Sequence, residues 1–240
     1  MPRTRNDEAY ARKRDAILDI AERLVQTKGY ESLAITDLMA EAGISKGALY
    51  HYFSAKRAVL AALLDRRLDR WEARLAPIAE ATGPADRRLR DFLRTLAGAK
   101  ADDRGFLIEV LRSVYAEENA IVYAAARQGM ADRLLPRLIM IIDAGRADGT
   151  FTVTDPAASA RVVLSLLQEC TDRIGRMLID IADGRGTARQ VEAQTAAYVD
   201  SLHRTLGAAP GTLAFVATAD LRRWTRAARV AGATETGSAR

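Results

Sequence analysis

Between residues 35 and 53 the chain reads ITDLMAEAGISKGALYHYF. In this stretch Leu38 and Ala42 lie four positions apart, so they share one face of a short helix. Gly43 follows, and a glycine can take the left-handed conformation that ends a helix and lets the chain turn sharply. Ser45 is a favourable N-cap, and it predicts a second short helix directly after it. Two short helices joined by a glycine turn form a helix-turn-helix, the unit that lays its second helix in the major groove of DNA.

The second helix has two faces of different character. Leu49 and Phe53 lie four positions apart and are predicted to face the core, which leaves Lys46, Gly47 and Tyr50 pointing outward. Gly47 lets the backbone approach DNA closely, and the hydroxyl of Tyr50 can donate to a phosphate oxygen. The residues predicted to contact DNA are Thr36, Ser45, Lys46, Gly47, Ala48, Tyr50, His51, Tyr52 and Lys56.

The sequence around this motif is similar to that of a known family. Residues from about 10 to 64 resemble the DNA-binding domain of TetR/AcrR-type transcriptional regulators. The runs that carry the resemblance are AILDIA (16–21), KGY (28–30), DLM (37–39) and above all GISKGALYHYFSAK (43–56). The resemblance implies that five residues occupy positions that contact DNA in the family: Lys46, Gly47, Tyr50, Tyr52 and Lys56.

One position departs from the family pattern. The family usually has Thr or Ser near the start of the helix that precedes the glycine turn, where this chain has Ala34. The cap and the phosphate contact of that hydroxyl are expected to be lost, or to pass to Ser32 or Thr36. The alternative hypothesis is therefore a helical dimer that binds a ligand or a partner and has a degenerate head, that is, a helix-turn-helix domain that no longer binds DNA. The intact run from residue 45 to 56 argues against this alternative.

Composition excludes several classes of protein. The chain has 240 residues, of which 49% are hydrophobic, enough for one large domain or two modest ones. No apolar run approaches the roughly 18 residues of a membrane span, and no apolar stretch follows the first residues as it would in a signal peptide. The single cysteine, Cys170, excludes an intramolecular disulfide. We therefore expect a cytoplasmic protein that does not associate with a membrane.

Charge is concentrated towards the ends of the chain. The net charge is +5, and residues 1–70 carry 13 Lys and Arg against 10 Asp and Glu, an excess of 3. A basic excess of this kind suits a surface that binds phosphates. Residues 1–9 are predicted to form a flexible basic arm, and residues 10–55 the helix-turn-helix domain.

The rest of the chain has helical periodicity throughout, so the fold class is predicted to be all-α. A long helix is expected from residue 56 to about 76 and joins the head to an all-helical effector-binding and dimerisation domain, residues 56–206. Asp155-Pro156 and Thr187 are predicted helix starts, as an N-cap with proline at the first position and as a capping box. Residues 207–240 are predicted to hold a linker, a further helix and a disordered tail.

Two helices near the end of the second domain are candidates for a dimer interface. In TetR-like proteins the helices at this place pair with their copies to form a four-helix interface. Dimerisation also has a physical reason, because one helix-turn-helix binds weakly and two linked heads gain effective concentration on two half-sites. The candidate interface residues are Val162, Leu166, Cys170, Val191, Thr195, Tyr198 and Leu202.

The family resemblance also implies a small-molecule effector in the all-helical domain. Aromatic and methionine side chains mixed with few charges favour a small apolar or planar ligand. The candidate pocket residues are Trp71, Phe92, Leu96, Phe106, Leu111, Tyr115, Tyr123, Met130 and Leu134.

Patterns typical of enzymes, metal sites and cofactor sites are missing from the sequence. It has two histidines, His51 and His203, and neither belongs to a metal-binding motif or a catalytic triad pattern. We therefore expect no catalysis, no metal and no cofactor. The sequence predicts a dimeric, ligand-responsive transcriptional regulator, a repressor that binds a palindromic operator and is released by a small molecule.

Overall fold

The computed structural model describes residues 3–238, and it describes side chains from residue 7 to residue 233. Within this part of the chain every regular element is helical, which confirms the predicted all-α fold. The α-helices are α1 (Arg3–Lys28), α2 (Ile35–Ala42), α3 (Lys46–Tyr52), α4 (Lys56–Glu80), α5 (Ala85–Asp102), α6 (Arg104–Tyr115), α7 (Ala120–Ala147), α8 (Pro156–Ala182), α9 (Ala188–Leu206) and α10 (Thr218–Ser238).

The helix-turn-helix forms as its local signals predict. Gly43 ends α2 with φ +59° in the left-handed region, where only glycine avoids a steric penalty. The N–H of Gly43 and the N–H of Ile44 donate to the carbonyls of Ala40 and Met39 in the last turn of α2. Ser45 caps α3, with its Oγ accepting a hydrogen bond of 3.2 Å from the amide of Ala48.

Other predicted helix starts are also confirmed. The carboxylate of Asp155 accepts a hydrogen bond of 3.0 Å from the amide of Ala158, and Pro156 is the first residue of α8. Thr187 and Gln190 form the reciprocal bonds of a capping box at the start of α9. Pro136 lies inside the continuous helix α7.

The two ends of the chain contain more helix than predicted. Helix α1 begins at Arg3, so residues 3–9 continue this helix instead of forming a separate flexible arm. Residues 1–2 lie outside the described residues. The further helix predicted after residue 207 is α10, and it extends to Ser238 through the segment predicted to be disordered. Residues 239–240 are again outside the described part.

The chain divides into two compact units. Unit 1 contains residues 3–67 and Gly105–Ala126, and unit 2 contains Leu68–Arg104 and the chain from Arg127 onward. The predicted boundary after residue 55 falls within unit 1. Unit 1 has one hydrophobic core, to which α1, α2, α3, the first part of α4, α6 and the start of α7 contribute. Its central members, each fully buried, include Ile17, Leu18, Leu38, Leu49 and Leu63.

In unit 2, helices α8 and α9 pack against each other, and α10 packs against both. Leu221, Thr225 and Ala228 form the buried stripe of α10, which follows the helical repeat. Gly232 continues this stripe, and its backbone touches Ala182 at the end of α8 so closely that a side chain there would clash. No described helix is both long and apolar enough to cross a membrane.

Candidate functional site

The outward face of α3 carries the residues that the sequence predicts to contact DNA. Leu49 and Phe53 are buried in the core of unit 1 and fix which face of α3 turns outward. Lys46, Gly47 and His51 are exposed, and the side chain of Tyr50 is 45% exposed. A Cβ atom added to Gly47 would meet no atom of the protein within 4 Å. The exposed face of α3 therefore offers a cation, an aromatic hydroxyl and an open stretch of backbone.

The positive charge on this face comes from Lys46. Its Nζ lies 5.9 Å from the centroid of the Tyr50 ring, a loose cation–π contact. Ser45 precedes it as the N-cap and is exposed, whereas Ala48 is partly buried. Thr36 is exposed near the start of α2.

Helix α1 holds the end of α3 through an aromatic cluster that the sequence did not predict. The ring of Tyr10 stacks on Tyr52 with centroids 4.7 Å apart, and it meets the ring of His51 edge-on at 5.5 Å. The hydroxyl of Tyr10 also donates a long hydrogen bond, 3.4 Å, to the carbonyl of His51. Tyr52, predicted to contact DNA, is thus partly buried and shares its ring with α1. Tyr10 is a residue that helps position the recognition helix.

Lys56 has an internal role in addition to the predicted contact with DNA. Its Nζ donates a hydrogen bond of 2.9 Å to the carbonyl of Glu31 and lies 4.5 Å from the centroid of the Tyr30 ring. These contacts link the start of α4 to the turn after α1. Burial, followed by the charges of Glu31 and Glu118, raises the pKa of Tyr30 to about 12. The Tyr30 ring therefore stays neutral beneath the ammonium at ordinary pH.

The start of α2 keeps half of a capping box despite Ala34. Ala34 has no side chain that can cap, but its N–H donates a hydrogen bond of 3.0 Å to the carboxylate of Asp37. Asp37 also pairs with Lys28 at the end of α1, and these two hydrogen bonds lower the pKa of its carboxyl. The missing hydroxyl is therefore compensated structurally, while Ser32 and Thr36 are both exposed for a phosphate contact.

A buried arginine connects three helices in unit 1. The side chain of Arg67 on α4 is 1% exposed. It donates to Glu22 Oε1 on α1 at 2.6 Å and to the carbonyl of Leu63 at 3.2 Å. Its guanidinium lies 3.2 Å from the centroid of the Phe106 ring on α6. The sequence indicated Phe106 as a pocket residue, but the structure places it in this cluster and in the core of unit 1.

Four of the predicted pocket residues meet around one small cavity in unit 2. Trp71, Leu96, Met130 and Leu134 line it together with Leu68 and Arg133, which the sequence did not indicate. The cavity measures about 10 Å³, enough for about one water molecule.

The other predicted pocket residues lie elsewhere. Phe92 is fully buried. Leu111 is partly buried in α6, and Tyr115 and Tyr123 contact each other edge-on at 5.6 Å in unit 1. These residues do not line the cavity in unit 2.

The predicted dimer residues divide into an inward and an outward group. Val191, Thr195 and Leu202 are buried within a single chain, and Thr195 bonds to the carbonyl of Val191. They are core residues of unit 2. The sequence did not show this, because helical spacing alone does not separate an internal face from an interface. Cys170 is likewise buried. Among the candidates Val162 is 49% exposed, and Leu166 and Tyr198 are partly exposed.

The described residues contain no group of three or more His, Cys, Asp or Glu side chains that could hold a metal ion. His51 lies on the recognition helix, as described above. His203 is buried, and its ring contacts the carbonyl of Val199 at 2.8 Å and accepts from the amide of Leu213 at 3.1 Å.

The similarity to known proteins extends beyond the helix-turn-helix domain. Residues 17–63 match the family described as bacterial regulatory proteins, tetR family. The HTH-type transcriptional regulator EthR of Mycobacterium tuberculosis is 31% identical over 157 residues, which are 65% of this chain and 72% of EthR.

Solved structures extend the similarity in fold. A TetR-family transcriptional regulator from Pectobacterium atrosepticum has a TM-score of 0.63 at 23% identity, covering 83% of this chain and 96% of that one. RolR, solved in complex with its ligand resorcinol, has a TM-score of 0.59 at 16% identity, covering 91% of this chain and 95% of RolR.

Proposed function

The chain belongs to the TetR family of bacterial transcriptional regulators, and from that premise we propose that it is a repressor that binds a palindromic operator as a homodimer and leaves it when a small molecule binds. The observation that carries the proposal is the outward face of α3. That face presents Lys46, Gly47 and Tyr50 to solvent at the position where a helix-turn-helix contacts base edges and phosphates.

A homodimer is proposed for a physical reason. A single head contacts few phosphates and base pairs, whereas two heads held at a fixed spacing bind two half-sites together. The candidate interface in this chain is the outward side of α8 and α9, where Val162, Leu166 and Tyr198 remain accessible. A two-fold symmetric dimer would require an operator with two-fold symmetry.

Control by a small molecule is proposed from likeness to RolR, and the residues around the small cavity in unit 2 are the candidate walls of the effector site. RolR, which shares the fold, was solved with resorcinol, a small planar molecule. In this chain Trp71, Leu96, Met130 and Leu134 would provide apolar walls for an effector. A ligand releases the operator only if it binds the released conformation more tightly than the DNA-bound one.

The test begins with selection of bound fragments from bacterial genomic DNA at low salt. The expected result is a palindromic site with half-sites about 34–36 Å, or a multiple, apart. Failure to recover any such site would remove the repressor proposal and favour a degenerate head on a ligand-binding dimer.

Gly47→Ala then separates DNA contact from folding. The added methyl group meets no protein atom within 4 Å and favours the helix, so the stability of the protein should not fall. On DNA it would occupy the space needed for close approach of the backbone, and operator affinity should fall at least tenfold. Gly98→Ala in α5 is the matched control, because its added methyl group is equally free of contacts. Equal operator affinity of the two variants would contradict the assigned face.

A further inference from the structure

The cavity in unit 2 has apolar walls and one neutralised cation. Leu68, Trp71, Leu96, Met130 and Leu134 supply the hydrocarbon and aromatic surface. The sixth wall residue, Arg133, is paired with carboxylates of α4: it bonds to Asp69, and its Nε lies 3.7 Å from Glu72. Arg133 is therefore not the group that would select a charged ligand.

A second cation, Lys100, lies close to the same walls. It is one helical turn after Leu96 on α5, so the two residues share a face of that helix. Its Nζ is 5.9 Å from the centroid of the Trp71 ring. Trp71 thus borders both the cavity and the ammonium group.

Lys100 is a largely buried cation whose direct hydrogen-bond partner is neutral. Its Nζ donates to the hydroxyl of Thr171 at 2.8 Å, and that hydroxyl in turn donates to the carbonyl of Leu167. Among the described side chains no carboxylate pairs with it at ion-pair distance. Burial lowers the pKa of Lys100 to about 8, although the charges of Cys170 and Asp172 act in the opposite direction.

The nearby carboxylates are bonded to other groups. Asp172 pairs with Arg127, which also donates to Gln168. Asp103 accepts a hydrogen bond of 2.8 Å from the indole of Trp71 and lies 3.5 Å from Arg70. A largely buried ammonium without a close counter-ion destabilises the folded protein, and an anion that reached it would offset part of that cost.

We propose that the effector is an apolar carboxylate whose anionic group pairs with Lys100 and whose hydrocarbon part lies against Trp71 and the walls of the cavity. This inference rests on the ligand control proposed above. The ammonium has three N–H donors, and two remain for the two oxygens of a carboxylate after the bond to Thr171. The cavity of about 10 Å³ must open for such a ligand, and Met130, with its three rotatable side-chain bonds, is the wall best able to move.

The test uses two matched pairs of probes, octanoate with octanamide and 2-naphthoate with 2-naphthamide. Dissociation constants are measured by calorimetry on the full chain, on Lys100→Met and on Lys100→Arg. The chain has two tryptophans, so a Trp224→Phe background leaves Trp71 as the single tryptophan, and its emission reports whether a probe binds beside it. We expect at least one carboxylate to bind the full chain tenfold or more tightly than its amide and to change Trp71 emission. Lys100→Met should remove this preference, and Lys100→Arg should restore it.

Other outcomes overturn the inference. It is wrong if neither carboxylate binds better than its amide, if Lys100→Met leaves the preference intact, or if binding leaves Trp71 emission unchanged. Should Lys100→Met fail to fold, the preference of the full chain and of Lys100→Arg for the carboxylate decides. Release of a recovered operator fragment is measured separately: carboxylate binding without release would disprove only the ligand control, and operator binding without any carboxylate preference would disprove only this inference.

Discussion

Arg67 in unit 1 and Lys100 in unit 2 are both largely buried cations, but their surroundings differ. Arg67 contacts Glu22, the carbonyl of Leu63 and the face of Phe106. Lys100 has a hydroxyl and a distant indole ring. The three partners of Arg67 lie on α1, α4 and α6. Moving one of these helices would take a partner away from a buried charge, so the cluster holds the three helices in one arrangement. The largely buried Lys100, without a close anion, is the cation that we propose a ligand completes.

Replacing Arg67 by Ala should have the largest effect on stability. Glu22 would lose its buried partner, and Phe106 would border a cavity, so the free energy of unfolding should fall by about 3 kcal/mol. Denaturant unfolding monitored by circular dichroism measures this loss.

Arg66→Ala is the matched control, because Arg66 pairs with the same Glu22 but its side chain is 21% exposed. We expect this variant to lose about 1 kcal/mol or less. Similar losses in the two variants would mean that burial does not distinguish the two arginines.

Lys100→Met should give the next largest effect, and its size should depend on pH. The folded-state pKa of Lys100 is lowered to about 8. At pH 7 the folded protein holds a protonated lysine in an unfavourable environment, and this lowers its stability. Between the folded and the unfolded pKa the unfolded chain binds more protons, so this penalty disappears as the pH rises. The stability advantage of Lys100→Met should therefore shrink by about 1.5 kcal/mol between pH 8 and pH 9.5.

Urea unfolding of both proteins across this pH range measures the difference. The comparison is needed because burial raises the pKa of Cys170 to about 11 and that of Tyr30 to about 12. Both groups lower stability as the pH rises through their unfolded values, in the opposite direction to Lys100. A pH-independent difference would show that Lys100 keeps an ordinary pKa.

Contacts between residues close in sequence could be predicted from the sequence, whereas the contacts of these two cations could not. Gly43, Ser45, Asp155 and Thr187 act on residues two to four positions away, so their helix ends and starts were predictable. The bond from Arg67 to Glu22 spans 45 positions, and that from Lys100 to Thr171 spans 71. Such contacts depend on how the helices pack, and periodicity does not determine packing.

The same limit applies to the candidate interface. Val191 and Leu202 have the spacing of an apolar helix face, which the sequence interpreted as a dimer surface. In the structure they face the inside of unit 2. The outward face of α3 was predictable because Leu49 and Phe53 identify its core side within a single turn.

Tyr10→Ala should have a smaller effect on stability, and it tests the aromatic cluster that Tyr10 forms with His51 and Tyr52 in unit 1. Loss of the stacking on Tyr52 and the edge contact with His51 should cost about 1 kcal/mol of stability. Because these contacts position the end of α3, operator affinity should fall about fivefold. Tyr10→Phe keeps the stacked ring and should retain most of the affinity; fluorescence anisotropy with the selected operator compares the two. A fivefold loss in Tyr10→Phe as well would assign the effect to the hydroxyl and not to the stacking.

Lys56→Ala should have the smallest effect on stability and separates an internal cation from one that contacts DNA. Loss of the contacts with the carbonyl of Glu31 and the ring of Tyr30 should cost about 0.5–1 kcal/mol. If Lys56 also neutralises a phosphate, the slope of log affinity against log salt should flatten by about one unit for every DNA sequence. Lys56→Arg retains the charge and should keep the slope. An unchanged slope in Lys56→Ala would remove Lys56 from the DNA interface, and its charge would then serve only to join α4 to the turn after α1, as Arg67 joins α4 to α1 and α6.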